Sequence, residues 1–277
     1  MKRIVGFSGG IDSQATARWV RDRYAPSEII LLNSDAGGNE DPITTDFVEE
    51  YSRTVFPVIQ VHAVISDMWT TEGFAETKGL DGSARLSFEL MMLIKRRAPS
   101  RKAQFCTEIL KLIPQRRWVQ ENISEDFERY VGLRRDESSS RRKIQERNWD
   151  QFFDCYVNYP LATWTKEECF KYVLDCGEPI NPLYKLGFNR VGCAPCINSS
   201  KEDIVNWVIR RPEMIDKIRR WEASLGRTYF APMVPGLAIN NIDQIVEWAK
   251  SKRGGRQKTF EIMHERPACE SKYGLCE

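Results

Sequence analysis

A short glycine-rich segment near the start of the sequence has the residue types that hold phosphate groups. Its residues are Ser8, Gly9, Gly10, Ile11, Asp12 and Ser13, and it lies between an apolar run and a stretch of helical composition. The glycines allow positive φ angles and close backbone approach to an anion, and the N–H groups that begin a helix attract the same ligand. The hydroxyl groups and the carboxylate could contact phosphate and Mg²⁺. The segment therefore predicts a nucleotide phosphate site, and a glycine turn closed by a Ser/Asp cap is the alternative.

Two basic segments supply further candidates for anion binding. Residues 95–117 contain eight Lys or Arg side chains and one acid, and residues 129–147 contain seven against three. Guanidinium groups can hold phosphate or sulfate with two hydrogen bonds, which favours Arg134 and Arg141 as anion ligands. A solvated helix face is the alternative for the first segment. A polynucleotide could use the same charge, although the sequence has no recognisable nucleic-acid-binding motif.

Four of the eight cysteines form two close pairs. Cys193 and Cys196 form a Cys-x-x-Cys pair in a stretch rich in Gly and Pro, and Cys269 and Cys276 form a second close pair. Four such thiolates would complete a [4Fe–4S] cluster or a zinc site. A set of free or redox-active thiols is the alternative. Packed thiols on strand or helix faces are expected at three other positions: Cys155, Cys169 and Cys176.

The elements that must position these groups alternate along the chain. Apolar runs over residues 2–7, 28–33 and 58–65 predict strands, and residues 13–20 and 42–53 between them predict helices. Strands that alternate with helices at this spacing indicate a parallel sheet and hence an α/β fold. Residues 130–133 and 156–160 are candidate later strands.

The second half of the sequence has a different character. Residues 83–122 are mostly helical in pattern with breaks near Pro99 and Pro114, and residues 165–175, 200–225 and 241–250 also predict helices. We therefore expect two domains. Residues 1–160 would form the adenine-nucleotide-binding domain, and residues 161–277 a helical extension with the Cys-x-x-Cys loop and a cysteine-containing tail.

The composition excludes several classes of protein. The 277 residues carry a net charge of +2, with 42% hydrophobic and 29% charged residues, which is too apolar for a disordered chain and too charged for one buried in a membrane. Neither a secretory leader nor a long apolar span is evident, so a cytoplasmic location is expected. Thiol pairs there are more often metal ligands or redox groups than disulfides. The sequence contains two histidines and gives no support for a Ser/His/Asp triad.

Several segments together resemble the phosphoadenosine phosphosulfate (PAPS) reductase family of the PP-loop, or adenine nucleotide alpha-hydrolase, superfamily. Residues 8–13 match the Ser-Gly-Gly-x-Asp-Ser pyrophosphate loop, and residues 33–37 resemble the family's Asp-Thr-Gly segment, with Ala36 in place of Thr. Cys106-Thr107 with Lys111 and Pro114 resembles its Cys-Thr-x-x-x-Lys-x-x-Pro stretch. Residues 132–141 and 182–196 resemble its Gly-x-Arg-x-x-Glu/Gln-Ser-x-x-Arg and Gly-Cys-x-x-Cys segments. The resemblance covers about residues 1–200.

This resemblance implies a Rossmann-like, HUP-type parallel sheet flanked by helices, with a C-terminal helical, cysteine-bearing extension. It also implies roles for particular residues. The nucleotide would contact Ser8, Gly9, Gly10, Asp12, Ser13, Asp35 and Gly132. The substrate anion would contact Arg134, Arg135, Ser138 and Arg141. Catalytic roles would fall to Asp12, Ser13, Lys111, Arg134 and Arg141.

The resemblance also bears on the cysteines. Related enzymes that handle sulfur use a [4Fe–4S] cluster, which places a cluster ahead of zinc for Cys193, Cys196, Cys269 and Cys276. Cys106 is an alternative ligand, because cluster-bearing members have a Cys-Cys pair where this chain has Cys106-Thr107.

The complete phosphate loop favours ATP over PAPS, since sulfonucleotide reductases carry a degenerate loop. The expected function is that of an ATP pyrophosphatase, as in the DNA-phosphorothioation enzymes. With Mg²⁺ the chain would cleave ATP to AMP and pyrophosphate and adenylate an acceptor for sulfur transfer. A sulfur donor such as a cysteine desulfurase and a nucleic-acid acceptor are the partners this implies.

The alternative within the family is a sulfonucleotide reductase that releases sulfite, with thioredoxin as reductant and Cys276 or a neighbouring cysteine as nucleophile. The final residues, 273–277, match the family's Glu-Cys-Gly-Leu/Ile-His tail only loosely. A third class is a non-catalytic, nucleotide-dependent partner in a larger assembly, against which the intact Asp12 and Ser13 argue.

Overall fold

A six-stranded β-sheet organises the first part of the protein in the computed structural model, which describes residues 1–70, 79–100, 103–137, 141–230 and 239–251. The strand order is β3-β2-β1-β4-β6-β5, and neighbouring strands are parallel except for β5 and β6. The sheet confirms the α/β fold. The strands are β1 (Lys2–Gly6), β2 (Ile29–Asp35), β3 (Val58–His62), β4 (Phe127–Tyr130), β5 (Arg147–Asp150) and β6 (Cys155–Asn158).

Helices follow the strands and continue through the second half of the described chain. The segment Glu108–Leu112 is a π-helical turn between two α-helices, and short 3₁₀ turns lie at other junctions. The α-helices are α1 (Ile11–Arg21), α2 (Pro42–Thr54), α3 (Phe88–Lys95), α4 (Phe105–Thr107), α5 (Ile113–Asn122), α6 (Lys166–Asp175), α7 (Lys201–Arg210), α8 (Pro212–Leu225) and α9 (Ile242–Lys250).

The sheet buries apolar residues on both faces, as a doubly wound α/β fold requires. On one face Val5 and Leu31, both 0% exposed, pack in one cluster with residues of α1 and α2, among them the fully buried Tyr51. On the other face Ile4 and Leu32 pack against Val119 of α5. Successive residues of a strand point to opposite faces, so the adjacent apolar residues Ile4 and Val5 of β1 serve the two layers.

The order of strands determines where loops meet. The chain passes from β1 to β2 and β3 on one side, and then returns to place β4 on the other side of β1. The two strands are parallel, with Val5 opposite Tyr130, so the loops that leave them lie at the same edge of the sheet. In open α/β sheets this reversal is where ligands bind.

Three local features differ from the sequence expectation. The strand predicted over residues 58–65 ends at His62, and a 3₁₀ turn begins at Ile65. The helical stretch of residues 200–225 divides at Arg211, whose φ of −143° and ψ of 55° leave the helical region before Pro212. Proline disfavours a helical conformation in the residue before it, which accounts for the break. The edge strand β5 was not predicted, and it makes the sheet mixed rather than wholly parallel.

The described residues form two compact units, each built from several segments. The first contains Met1–Asp35, Pro42–His62 and the described parts of Leu112–Pro182. The second contains Ala36–Asp41 and the described parts of Ala63–Lys111 and Leu183–Glu277. Residues 161–182 belong to the first of these compact units, and the division into domains at residue 160 stays a prediction.

The second unit is held by aromatic packing and a buried carboxylate. Trp221 of α8 packs against Phe88 of α3 and against Tyr229, with ring centroids 5.3 Å and 5.4 Å apart. Glu222, 9% exposed, accepts hydrogen bonds from the backbone N–H groups of Tyr229 and Ile242, both at 2.8 Å. This buried carboxylate therefore holds the backbone at Tyr229 and at the start of α9. No helix among the described residues has the length and apolar character needed to cross a membrane.

A buried ion pair in the second unit gives a test of its stability. Arg211 Nη1 donates to both carboxylate oxygens of Asp41 at 2.7 Å and 2.8 Å, and the Asp41 side chain is 2% exposed. Arg211→Met would leave this carboxylate without its cation and should lower the free energy of unfolding by about 3–5 kcal/mol.

The matched control is Arg219→Met, which removes an exposed ion pair with Asp243. Exposed pairs contribute about 0–1 kcal/mol, so this variant should unfold at nearly the wild-type urea concentration. Equal urea midpoints for the two variants would contradict the importance of the buried pair.

Candidate functional site

The loop between β1 and α1 adopts a conformation that requires glycine at Gly9. Its φ is +74°, and a Cβ at this position would lie 3.0 Å from Cγ2 of Val48 and 3.1 Å from Cγ2 of Thr44. Gly10 is extended, and no side chain caps α1 there. The start of this 11-residue helix therefore presents the positive end of its dipole within a narrow backbone turn, which favours an anion.

The two serines of the loop bind each other and the backbone. The Ser13 hydroxyl donates to the Gly10 carbonyl at 2.8 Å and accepts from the Ser8 N–H at 3.1 Å, and the two hydroxyl oxygens are 3.2 Å apart. Ser13 is buried at 6% exposure. The Ser13 hydroxyl thus links the backbone of Ser8 to that of Gly10 and holds the loop in its curved conformation.

The chain that leaves β4 approaches the start of α1 so closely that it also requires glycine. A Cβ at Gly132 would lie 2.5 Å from the carbonyl carbon and oxygen of Asp12 and 2.7 Å from the Ser13 nitrogen. These are backbone atoms of a helix, which cannot move aside as a flexible side chain could. The absence of a side chain at Gly132 therefore allows the chain after β4 to pack against the backbone of Asp12 and Ser13.

Arg134 is held between two carboxylates. The residue is 4% exposed, its Nε donates to Asp12 Oδ1 at 2.8 Å, and its Nη1 donates to both carboxylate oxygens of Asp136 at 2.6 Å and 2.8 Å. Burial alone would lower the pKa of Arg134, but the charge of Asp12 and the hydrogen bond to it raise that pKa overall. Arg134 thus orients Asp12, which is also adjacent to the buried thiol of Cys169. Burial and the Asp12 charge raise the pKa of that thiol.

Other residues predicted at the nucleotide or anion site have separate surroundings. Arg135 donates from Nε to the Ile144 carbonyl at 2.9 Å, and Arg141 forms an ion pair with Glu137. Asp35 ends β2, opposite His62 of β3. Ser138 lies outside the described residues.

The Cys-x-x-Cys loop of the second unit is bound to the segment that follows β2. The Asp41 N–H donates to the Gly192 carbonyl and the Ala194 N–H donates to the Asn39 carbonyl, both at 2.8 Å. The Asn39 side chain, 1% exposed, donates to the Pro195 carbonyl at 3.0 Å. These bonds hold the backbone on both sides of Cys193.

Cys106 and Lys111 lie in the same neighbourhood as this loop. Lys111 Nζ donates to Cys193 Sγ at 3.4 Å, the charges of Cys193 and Cys196 raise the pKa of Lys111, and Lys111 and Cys196 act on the pKa of Cys106. Burial raises the pKa of the Cys193 thiol to about 11, and the Lys111 ammonium acts in the opposite direction. Burial also raises the pKa of Cys106. We call Cys106, Cys193 and Cys196 the cysteine cluster.

Two further residues, which the sequence does not single out, support the cysteine cluster. Lys217 of α8 donates to Asn39 Oδ1 at 3.2 Å and to the Ala194 carbonyl at 3.4 Å. The Tyr229 hydroxyl donates to the Pro195 carbonyl at 3.1 Å. No local motif marks either residue, because each reaches the loop only through the packing of the second unit.

The predicted four-cysteine metal site remains a prediction. Cys269 and Cys276 lie outside the described residues. Within the part of the chain that the structure describes, no three His, Cys, Asp or Glu side chains are arranged to hold a metal ion. Cys155 and Cys169 are buried and Cys176 is partly exposed, all as free thiols.

A family model for the phosphoadenosine phosphosulfate reductase domain matches residues 2–199. The chain belongs to the PAPS reductase family. Family membership is consistent with nucleotide binding and with sulfur metabolism, and named members are enzymes. The match ends shortly after the Cys-x-x-Cys loop, so it includes both the phosphate loop and the cysteine cluster.

Individual relatives include proteins with and without an assigned activity. An uncharacterized 37.8 kDa protein of Escherichia phage 186 is 26% identical, covering 99% of this chain and 96% of its own length. Adenosine 5'-phosphosulfate reductase of Allochromatium vinosum is 30% identical, covering 84% of this chain and 81% of its own. The crystal structure of PAPS reductase from Candida auris in a phosphate complex is 15% identical, covers 71% of this chain and 83% of that chain, and has a TM-score of 0.48.

Substitution of Gly132 tests the packing of the phosphate loop. Gly132→Ala would place a Cβ against the backbone of Asp12 and Ser13, and should lower the free energy of unfolding by about 1–3 kcal/mol. The control is Gly6→Ala, since a Cβ at Gly6 would meet nothing within 4 Å. Urea unfolding measures both. If Gly132→Ala were as stable as Gly6→Ala, the close approach would be wrong.

Proposed function

We propose that this chain is an ATP pyrophosphatase that adenylates an acceptor for sulfur transfer. An acceptor oxygen attacks the α-phosphorus of ATP, the bond from that phosphorus to the α,β-bridging oxygen breaks, and pyrophosphate leaves. The observation that carries the proposal is the loop Ser8–Ser13, with Gly9 at positive φ and the uncapped start of α1 behind it. Such a loop suits the β- and γ-phosphates of ATP, which a sulfonucleotide substrate lacks.

The chain's own residues would act mainly on the leaving group. Negative charge grows on pyrophosphate as the bond breaks, and fixed N–H dipoles stabilise it without reorganisation. Asp12 offers a carboxylate oxygen, the ligand type that Mg²⁺ prefers, and its side chain is 22% exposed while Arg134 orients it. We assign Mg²⁺ to Asp12 and propose that Asp35, at the end of β2, contributes near the nucleotide.

We also propose that Cys193 and Cys196, together with Cys269 and Cys276, hold a [4Fe–4S] group, with Cys106 as the alternative ligand. Cys193 and Cys196 lie in one loop that Lys111 contacts at Cys193, and thiolates are the ligands of such groups. Lys111 and Lys217 supply positive charge beside them, which would offset the charge of bound thiolates. The group would supply sulfur-handling or redox chemistry.

A sulfonucleotide reductase is the second candidate. The relative from Allochromatium vinosum, which covers 84% of this chain, is named adenosine 5'-phosphosulfate reductase, and this observation favours it. The chain would then release sulfite, with a cysteine such as Cys276 as nucleophile and thioredoxin as reductant. Sulfite release from a sulfonucleotide that Cys276→Ser abolishes would support this candidate over the first.

Labelled ATP distinguishes the proposed function from other ATP chemistry. With ATP carrying ³²P at the α position, a sulfur donor and candidate acceptors, the label should appear in AMP or on the acceptor. Gly9→Ala should lower the rate by about tenfold or more, because a misplaced loop loses stabilisation of the transition state. Gly6→Ala is the control. Label in ADP with every acceptor would contradict cleavage between the α- and β-phosphates.

Metal content tests the cysteine cluster. Protein purified without oxygen should contain iron and acid-labile sulfide and absorb visible light, and Cys193→Ser should lose most of this content because a ligand is removed. Cys176→Ser is the matched control, since Cys176 lies at the end of α6 in the other unit. A colourless wild-type protein with stoichiometric zinc would contradict the iron–sulfur assignment.

A further inference from the structure

A buried amide lies directly behind the phosphate loop. Asn181 is 0% exposed, and its Nδ2 donates to the Gly9 carbonyl at 3.2 Å and to the Thr44 hydroxyl at 3.0 Å. It comes from the segment that follows α6, far along the chain from the loop. A buried amide must use its hydrogen bonds within the protein, so the bond from Asn181 fixes the direction of the Gly9 carbonyl.

The consequence follows from the geometry of the peptide bond. In a planar trans peptide the C=O of one residue and the N–H of the next point in opposite directions. The amide of Asn181 holds the Gly9 carbonyl on the inner side of the loop. The N–H of Gly10 must therefore point away from Asn181. Because Gly9 is a glycine at positive φ, this peptide could otherwise rotate with little steric resistance.

The segment that carries Asn181 is itself firmly held. Glu178 is buried and accepts hydrogen bonds from Arg21 at 2.7 Å and from the Tyr51 hydroxyl at 2.9 Å. Gln14 of α1, also 0% exposed, donates to the Pro179 carbonyl at 2.5 Å. Residues 178–181 are thus tied to α1 and α2 at several points, so the side chain of Asn181 keeps its position.

We infer that Asn181 is a positioning residue that sets the Gly9–Gly10 peptide so that the Gly10 N–H faces the pyrophosphate end of the nucleotide. The inference rests on the proposed function. It assigns Asn181 a selective effect: affinity for the pyrophosphate part of the ligand depends on it, whereas affinity for AMP, which has no β- or γ-phosphate, does not.

Calorimetric titration with inorganic pyrophosphate and with AMP tests this selectivity. Asn181→Ala removes the donor, and Asn181→Asp keeps the shape of the side chain while replacing the donor with a negative oxygen. Both should weaken pyrophosphate binding by about tenfold or more, with the larger loss for Asp, and change AMP binding by less than about twofold. Tyr51→Phe is the control, because it removes a hydrogen bond from the same segment without touching the loop, and it should leave both affinities unchanged.

The possible outcomes separate the inference from the proposed function. If the wild-type protein binds AMP but not pyrophosphate, the proposed function fails, and the inference fails with it. If the wild-type protein binds pyrophosphate and both Asn181 variants bind it equally well, the inference alone is wrong. Equal weakening of pyrophosphate and AMP would show a general structural role and would also overturn it. If Asn181→Ala does not fold, the same titration is made with Asn181→Asp, which retains the volume of Asn.

Discussion

Close approach of backbone to the first turn of α1 is the constraint on which the nucleotide loop depends. Gly9 must adopt a positive φ under the side chains of α2, and Gly132 must pass the carbonyl of Asp12 at a distance that excludes a Cβ. The approach at Gly132 depends on the pairing of β4 beside β1, which brings the exits of both strands to one edge of the sheet. The packing of the sheet therefore sets the shape of the loop.

The two candidate centres use different means to accommodate charge. The phosphate loop relies on backbone dipoles and a helix start, and Arg134, which contacts the loop at Asp12, is engaged by carboxylates. The cysteine cluster of the second unit relies on half-buried side-chain cations, since Lys111 contacts Cys193 and Lys217 binds the adjacent backbone.

The sequence was informative where a local pattern carried the structure. The strand, glycine loop and helix of residues 2–21 could be predicted because apolar runs and a fixed hexapeptide mark them. The break in residues 200–225 also has a local cause, Pro212. The amphipathic pattern continues across this proline and therefore predicts one helix where the structure has two. The strand β5 could not be recognised, because Arg147 to Asp150 are mostly polar residues of a strand at the sheet edge. Cys193 and Cys196 could be named as candidate ligands from their motif and Cys106 from the family resemblance, but the contact of Lys111 with Cys193 joins residues 82 positions apart and no local pattern marks it. Asn181 likewise lies far in sequence from the loop that it contacts.

The central claim is that the loop Ser8–Ser13 binds the pyrophosphate part of ATP. A crystal structure with the α,β-methylene analogue of ATP and Mg²⁺ tests it most directly, because this analogue resists cleavage between the α- and β-phosphates. We expect the β- and γ-phosphates to accept hydrogen bonds from N–H groups of the loop, including that of Gly10, with Mg²⁺ on Asp12. An analogue bound with its β- and γ-phosphates away from this loop would contradict the claim.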